Sequence, residues 1–185
     1  MSSRIARLLA SYRERIAAPW PQNVAGVERV FFVVYGPADE RRLRARMAEF
    51  ALATEQAGHR WQHVDLTDAF PRWMGAQRYR DRYFANPALL TPALRQFEVA
   101  VAGEITTALE HSSSDAVVAV SGVASLFGLA RVSDVLRRVH DAIPGRLVVF
   151  FPGDYADSVY HLLEAPGGWN YMAVPILATE APAAP

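Results

Sequence analysis

The chain has 185 residues, the length of a single domain, and its 19 arginines balance 19 acidic residues. A chain without net charge lacks the positive surface of a general nucleic-acid-binding protein, so we expect weak or indirect nucleic-acid contact at most. The sequence holds no cysteine and no lysine, which excludes disulfides, cysteine nucleophiles, Walker lysines and Schiff-base lysines.

Membrane segments and metal sites are not predicted either. No stretch reaches the roughly 18 consecutive apolar residues of a membrane-spanning helix, and the polar start of the chain lacks a signal-peptide core. We therefore expect a cytoplasmic protein without membrane contacts. The five histidines are scattered without paired spacing, so we expect neither a metal site nor a bound cofactor.

The chain begins with an amphipathic pattern. Ser2 or Ser3 can cap a helix that Pro19 stops. Its apolar stripe consists of Ile5, Leu8, Leu9, Tyr12 and Ile16. The helix over residues 1–18 is expected either to pack on the sheet or to lie at the periphery and serve a partner.

A strand, a turn and a helix follow. The run VFFVVY, Val30 to Tyr35, predicts a buried strand, and a helix then extends to Gly58. Its predicted stripe is Leu43, Met47, Phe50 and Ala51, and its arginines, Arg41, Arg42, Arg44 and Arg46, are predicted to form a solvated face. The intervening loop GPADER matches neither GxGxxG nor GxxxxGK[ST], so no phosphate-binding loop is predicted.

The second predicted strand, Trp61 to Leu66, contains His63 and Asp65. We expect His63 to be packed or hydrogen-bonded, and Thr67 to cap the helix that follows. Asp65 is expected to orient a neighbouring loop; the alternative is a contact with a ribose hydroxyl.

The segment Phe70 to Phe84, here called the arginine–aromatic segment, interleaves aromatic rings and arginines against a single acid, Asp81. Such a composition suits a protein interface, base stacking, or a lid whose rings cover the sheet. The candidate partner-binding residues are Trp73, Arg78, Tyr79, Arg80, Arg82 and Tyr83.

The remaining elements alternate between helices and strands. A long helix is predicted from Thr91 to Glu110, and a second helix from about Ser133 to Ala142; a central buried strand within DAVVAVSGVASLFG separates them. The strand RLVVFFPGDY is predicted to turn at Pro152 and Gly153, before a last turn or short helix over residues 159–163. A fifth strand, NYMAVPI, ends at Ile176.

This order predicts an α/β fold: one domain over residues 1–178, in three layers, with a mostly parallel five-stranded sheet and helices on both faces. It would be Rossmann-like or degenerate P-loop-like, without Walker motifs. Residues 179–185, rich in alanine and proline, are predicted to be a disordered tail.

Ligands of parallel sheets gather at the carboxyl ends of the strands. The candidate ligand-loop residues are Asp65, Ser121, Gly122, Ser125, Gly153 and Asp154. Ser121 is the obvious nucleophile to consider. It lacks a GxSxG elbow, and no histidine is linked to it by sequence, so no catalytic residue is assigned.

Five stretches together resemble one family: RVFFVVYGPADERRLRARMAEF, GHRWQHVDLTDAF, VSGVASLFGLARVSDVL, GRLVVFFPGDY and GGWNYMAVPI. In this order, from about Glu28 to Ala178, they are similar to the BrxB family, a small component of BREX phage-defence systems. The resemblance implies a cytoplasmic, non-catalytic protein-binding component. Its implied partner is the alkaline-phosphatase-like protein PglZ, with other BREX components as further possible partners.

Two classes of function remain at this stage. The first is a non-catalytic binding subunit that acts through surfaces such as the arginine–aromatic segment. The second is a nucleotide-responsive switch or enzyme that uses the loops at the carboxyl ends of the strands. The missing phosphate loop favours the first.

Overall fold

A six-stranded sheet lies between two layers of helices in the computed structural model, which describes residues 3–21, 23–163, 168 and 170–179. The strands are β1 (Val30–Tyr35), β2 (Arg60–Asp65), β3 (Ala116–Ser121), β4 (Arg146–Ala156), β5 (Val159–Leu162) and β6 (Val174–Ile176). Five strands are parallel in the order β2-β3-β4-β1-β6, and β5 pairs with β4 antiparallel. The predicted three-layer α/β fold with a mostly parallel sheet is therefore confirmed.

The central strands are apolar along their whole length because both faces of the sheet are covered. Every residue of β1 and β3 is buried. In β1, Phe32 and Val34 face one half of the core, whereas Phe31 and Val33 face the other. This arrangement explains why these strands show no alternation of apolar and polar residues in the sequence.

One face is covered by α1 (Arg4–Ala17), α2 (Glu40–Ala45) and α3 (Met47–Gln56). All five apolar residues of the predicted α1 stripe are buried, and the Ser3 hydroxyl caps the helix by accepting from the Ala6 amide at 3.2 Å. The hydroxyls of Tyr12 and Thr54 lie 2.5 Å apart and join α1 to α3. Thus α1 packs on the sheet, the first of its two predicted arrangements.

The other face is covered by α4 (Ala69–Gly75), α6 (Leu94–Glu110) and α7 (Val132–Val139). Between α4 and α6 lie α5 (Arg80–Ala85) and a 3₁₀ segment, Pro87–Ala93. The predicted start of the long helix at Thr91 falls in this 3₁₀ segment, and the α-helical part begins at Leu94.

The predicted turn at Pro152 and Gly153 is wrong. Instead β4 continues through both residues and forms a hairpin with β5, so the predicted turn or helix over residues 159–163 is wrong as well. A Cβ at Gly153 would lie 1.9 Å from the carbonyl oxygen of His161, so only glycine permits this close pairing. The hairpin turns at Asp157 and Ser158, both with positive φ.

Smaller differences concern the helix after β1 and the end of the chain. That helix breaks at Arg46, and its buried residues include Ala53 and Thr54 rather than Ala51. Of the predicted tail, Thr179 contacts α1, because its carbonyl accepts from Arg7 Nε at 3.0 Å. Residues 180–185, where the rest of the predicted disorder falls, lie outside the described residues.

Candidate functional site

The carboxyl ends of the parallel strands β2 and β3, here called the strand exits, lie side by side. Asp65 is in register with Ser121, and His63 with Ala119, on the face covered by α1, α2 and α3. Two of the predicted ligand-loop residues, Asp65 and Ser121, are therefore neighbours.

A histidine meets the predicted nucleophile at this edge. The Nε2 atom of His63 lies 2.9 Å from Ser121 Oγ, although the residues are 58 positions apart. Burial lowers the pKa of His63, the Asp65 carboxylate opposes this shift, and Arg44 adds to it. A neutral imidazole can accept the Ser121 proton, which is the first requirement of a serine–histidine pair.

Two observations favour a structural role for this pair. Ser121 is only 3% exposed, so a substrate could not reach its hydroxyl without rearrangement of the surrounding residues. In the described part of the chain, no carboxylate is hydrogen-bonded to His63 Nδ1 to orient the ring. The hydrogen bond therefore ties the edge strand β2 to its interior neighbour β3.

A polar network connects β1, α2 and the exit of β2. Asp65 Oδ1 accepts from the amide and hydroxyl of Thr67, at 3.0 and 2.5 Å. Arg44 donates to Thr67 Oγ1, lies 3.5 Å from Asp65 Oδ2, and is bonded through Nε to Glu40 at 2.6 Å. Glu40 also accepts from the hydroxyl of Tyr35. Asp65 thus orients the turn that follows it.

This network corrects two predictions. Arg44 does not belong to a solvated face, because its guanidinium is half-buried between Glu40 and Thr67. Thr67 does not cap α4, since Asp68 occupies the N-cap position and the Thr67 hydroxyl binds Asp65 instead. Burial opposes ionisation of Asp65, but the hydrogen bonds from Thr67 and the charge of Arg44 outweigh it and lower the pKa of this carboxyl.

The loop after β3 is fixed by close contacts. Gly122 has φ +75°, and a Cβ there would lie 2.5 Å from the Thr67 amide nitrogen. The hydroxyl of Ser125 donates to the carbonyls of Leu66 and Gly122, at 2.8 and 2.7 Å. The polar atoms of these loops therefore bind one another, which leaves few of them to hold a ligand.

The other two predicted ligand-loop residues lie elsewhere. Gly153 and Asp154 are in the β4–β5 hairpin, in register with Leu162 and His161. The structure thus brings together Asp65, Ser121, Gly122 and Ser125, but places Gly153 and Asp154 in a different element.

The arginine–aromatic segment has a packed half and an exposed half. In the packed half, Trp73 is partly buried against the core, with its ring 5.4 Å from that of Phe97 and 5.9 Å from that of Phe70. The Arg72 guanidinium forms a 2.9 Å ion pair with Glu104 of α6. This half therefore packs against α6 and the apolar core on that face of the sheet.

In the exposed half, Tyr79 is 50% exposed and Phe84 69% exposed. The guanidinium carbons of Arg78 and Arg82 lie 5.7 and 5.5 Å from the centre of the Tyr79 ring. Arg80 is exposed as well, 3.7 Å from the carboxylate of Asp81, and Tyr83 is partly exposed. These residues present aromatic rings to solvent, with two guanidinium groups placed against the Tyr79 ring.

The exposed surface extends further along the chain than sequence patterns indicated. No residue from 75 to 92 is buried, and Leu89, in the 3₁₀ segment, is 49% exposed. We call residues 75–92 the exposed run. The exposure of Leu89 could not be predicted, because an apolar residue just before a helix usually indicates a core position.

Comparisons with models of protein families, with curated proteins and with solved structures found no match. Within the described residues, no three histidine, aspartate or glutamate side chains are grouped so that they could hold a metal ion. No helix in the described part of the chain has both the length and the apolar character needed to cross a membrane.

Proposed function

We propose that this chain is a non-catalytic, protein-binding component of a BREX phage-defence system, with the PglZ-like protein of that system as its partner. The five stretches that resemble the BrxB family support the biological setting. The observation that carries the binding role is the exposed run, in which 18 consecutive residues include none that is buried.

The exposed run has the composition of a binding surface. Three large apolar or aromatic residues of one short stretch are at least about half exposed: Tyr79, Phe84 and Leu89. Clustered exposed apolar side chains mark interaction sites, and tyrosine and arginine are enriched among residues that dominate binding energy. Because these side chains are already partly buried, burying the rest of one in an interface would contribute about half of the roughly 1.5–3 kcal/mol that a fully exposed side chain gives.

The charge of the exposed run indicates the partner's surface. The run contains three arginines and one acidic residue, Asp81, and so has a net charge of +2; the arginines are Arg78, Arg80 and Arg82. A complementary partner surface would present carboxylates around an apolar centre. Such complementarity increases the rate of association and makes binding sensitive to salt.

The hydrogen bond between His63 and Ser121 supports a second candidate function, an enzyme or nucleotide-responsive switch that uses the strand exits. The enclosure of Ser121 and the internal use of the polar loop atoms weigh against it. A fluorophosphonate probe tests the enzyme: labelling that is lost in Ser121→Ala supports a serine nucleophile, and an unlabelled protein counts against one.

The binding role is tested by co-expression with a tagged PglZ-like protein and the other components of the same system. We expect the untagged chain to co-purify with the PglZ-like protein and to remain with it through size-exclusion chromatography. Co-purification with no component of the system would overturn the proposal.

A further inference from the structure

A second surface lies beyond the loop that follows β3 and does not include α5. It is a groove of about 920 Å³ between the start of α6 and the chain that follows β3. We propose that this groove binds an amphipathic helix with an acidic face, contributed by a partner protein. The groove adjoins the exposed run at Thr91, but the inference is argued from the groove's own floor and rim, and either proposal can fail without the other.

The floor of the groove is apolar. Leu94 at the start of α6, Phe127 after β3 and Leu162 of β5 all line it. Phe127 is 50% exposed, so its ring is available for contact. An apolar floor of this kind favours an occupant with its own apolar stripe.

The charged rim is cationic. Arg95 and Arg131 are exposed, and neither forms an ion pair within the described residues. The carboxylates of the groove are already engaged: Glu98 binds Arg138 at 2.9 Å, and Asp134 binds Arg137. The groove therefore has unused positive charge and no unused negative charge.

A smaller cavity of about 490 Å³ continues the groove, because Arg95, Glu98 and Asp134 line both. Together the two cavities are lined by four arginines and two carboxylates, a net charge of +2. Charge complementarity therefore favours an acidic occupant.

The shape favours a helix over a small molecule. On the α6 side, Leu94, Arg95 and Glu98 lie on one face of the first turns of α6, and Thr91 of the preceding 3₁₀ segment extends this side of the groove. The groove alone is near the upper limit of typical small-molecule pockets, about 1,000 Å³, and it continues into the second cavity. An apolar stripe flanked by acidic residues would match this floor and rim, as in helix-in-groove recognition.

The test uses fluorescence anisotropy with two labelled helical peptides of about 18 residues, a length that supports helix formation. Both carry the same leucine stripe, one with glutamates and the other with lysines on the remaining face. We expect saturable binding of the glutamate peptide and at least roughly tenfold weaker binding of the lysine peptide.

Variants of the intact chain locate the binding. We expect Phe127→Ser and Arg131→Glu each to weaken binding of the glutamate peptide by roughly tenfold. Matched controls are Leu52→Ser on α3, where the side chain is 49% exposed, and Arg41→Glu on α2, an exposed arginine. Neither control should change the affinity.

Three results would overturn the inference: no saturable binding of the glutamate peptide, equal binding of the two peptides, or equal loss of affinity in the control variants. Because the peptide comparison needs only the wild-type chain, it decides the matter even if a variant fails to fold.

Discussion

A hydrogen bond connects the imidazole of His63 on β2 with the hydroxyl of Ser121 on β3, with His63 Nε2 2.9 Å from Ser121 Oγ. His63 lies on the outermost strand, β2, whereas Ser121 ends the neighbouring interior strand, β3. The partly buried imidazole that makes this contact belongs to the side chain whose ordinary pKa lies closest to physiological pH.

This contact predicts a loss of stability in acid. Burial lowers the folded-state pKa of His63 below its ordinary value of 6.5, so below pH 6.5 the unfolded chain binds more protons than the folded one. The stabilising contribution is full above pH 6.5 and is lost as the pH falls through the lowered value. Urea-unfolding free energies of wild type and His63→Gln between pH 8 and pH 5 measure this effect. We expect a smaller acid-induced loss in His63→Gln, and identical pH profiles would contradict the role of His63.

Gly122 is predicted to be irreplaceable in the loop after β3. In Gly122→Ala, positive φ and a Cβ 2.5 Å from the Thr67 amide nitrogen would force the β2 and β3 exits apart. We expect a loss of about 2 kcal/mol or more in the free energy of unfolding. Gly128→Ala is the control, because Gly128 also has positive φ but no heavy atom near its Cβ position. Equal losses in the two variants would show that backbone strain alone, without the contact to Thr67, accounts for the effect.

The buried pair Tyr12 and Thr54 is predicted to stabilise the packing of α1. Thr54 donates to the Phe50 carbonyl at 2.9 Å, so the Tyr12 hydroxyl is the donor in the 2.5 Å contact with Thr54. Thr54→Val leaves this buried hydroxyl without its acceptor and should cost about 1–3 kcal/mol. Adding Tyr12→Phe removes the stranded hydroxyl, so the double variant should lose less than the sum of the single losses. Additive losses in thermal melts would show that the two hydroxyls do not interact.

The strands could be predicted where burial on both faces leaves a continuous apolar run, as in β1 and β3. The course of β4 could not, because Pro152 and Gly153 carry the usual composition of a turn. Here Pro152 still pairs with Tyr35 at the end of β1, and beyond it Gly153 lets β5 approach closely. Only the arrangement of neighbouring strands decides between these outcomes.

The candidate site was predictable in position but not in its contacts. Parallel strands place Asp65 and Ser121 at one edge of the sheet, and this followed from their places at strand ends. The contact of His63 with Ser121 requires β2 to lie beside β3, which no local pattern specifies. Similarly, the four arginines after β1 look alike in the sequence, and only Arg44 reaches the Thr67 hydroxyl, which lies in the turn after β2.

The two halves of the arginine–aromatic segment should respond differently to truncation. Trp73→Ala removes a ring packed against Phe97 and should cost about 2–3 kcal/mol of stability. Tyr79→Ala removes a half-exposed ring and should leave the melting temperature within about a degree or two of wild type. Thermal melts of both variants check this, and an equally large loss in Tyr79→Ala would assign Tyr79 to the fold.

The central claim is that the exposed run is the surface that binds the PglZ-like protein. The most direct test is the affinity of variants of this chain for the purified partner. Titrations with Tyr79→Ala and Arg80→Glu should each show a loss of about 2 kcal/mol in binding free energy, with unchanged melting temperatures. The controls Leu52→Ala and Arg41→Glu, exposed on other helices, should bind as the wild type does. Wild-type affinity in well-folded Tyr79→Ala and Arg80→Glu proteins would contradict the claim.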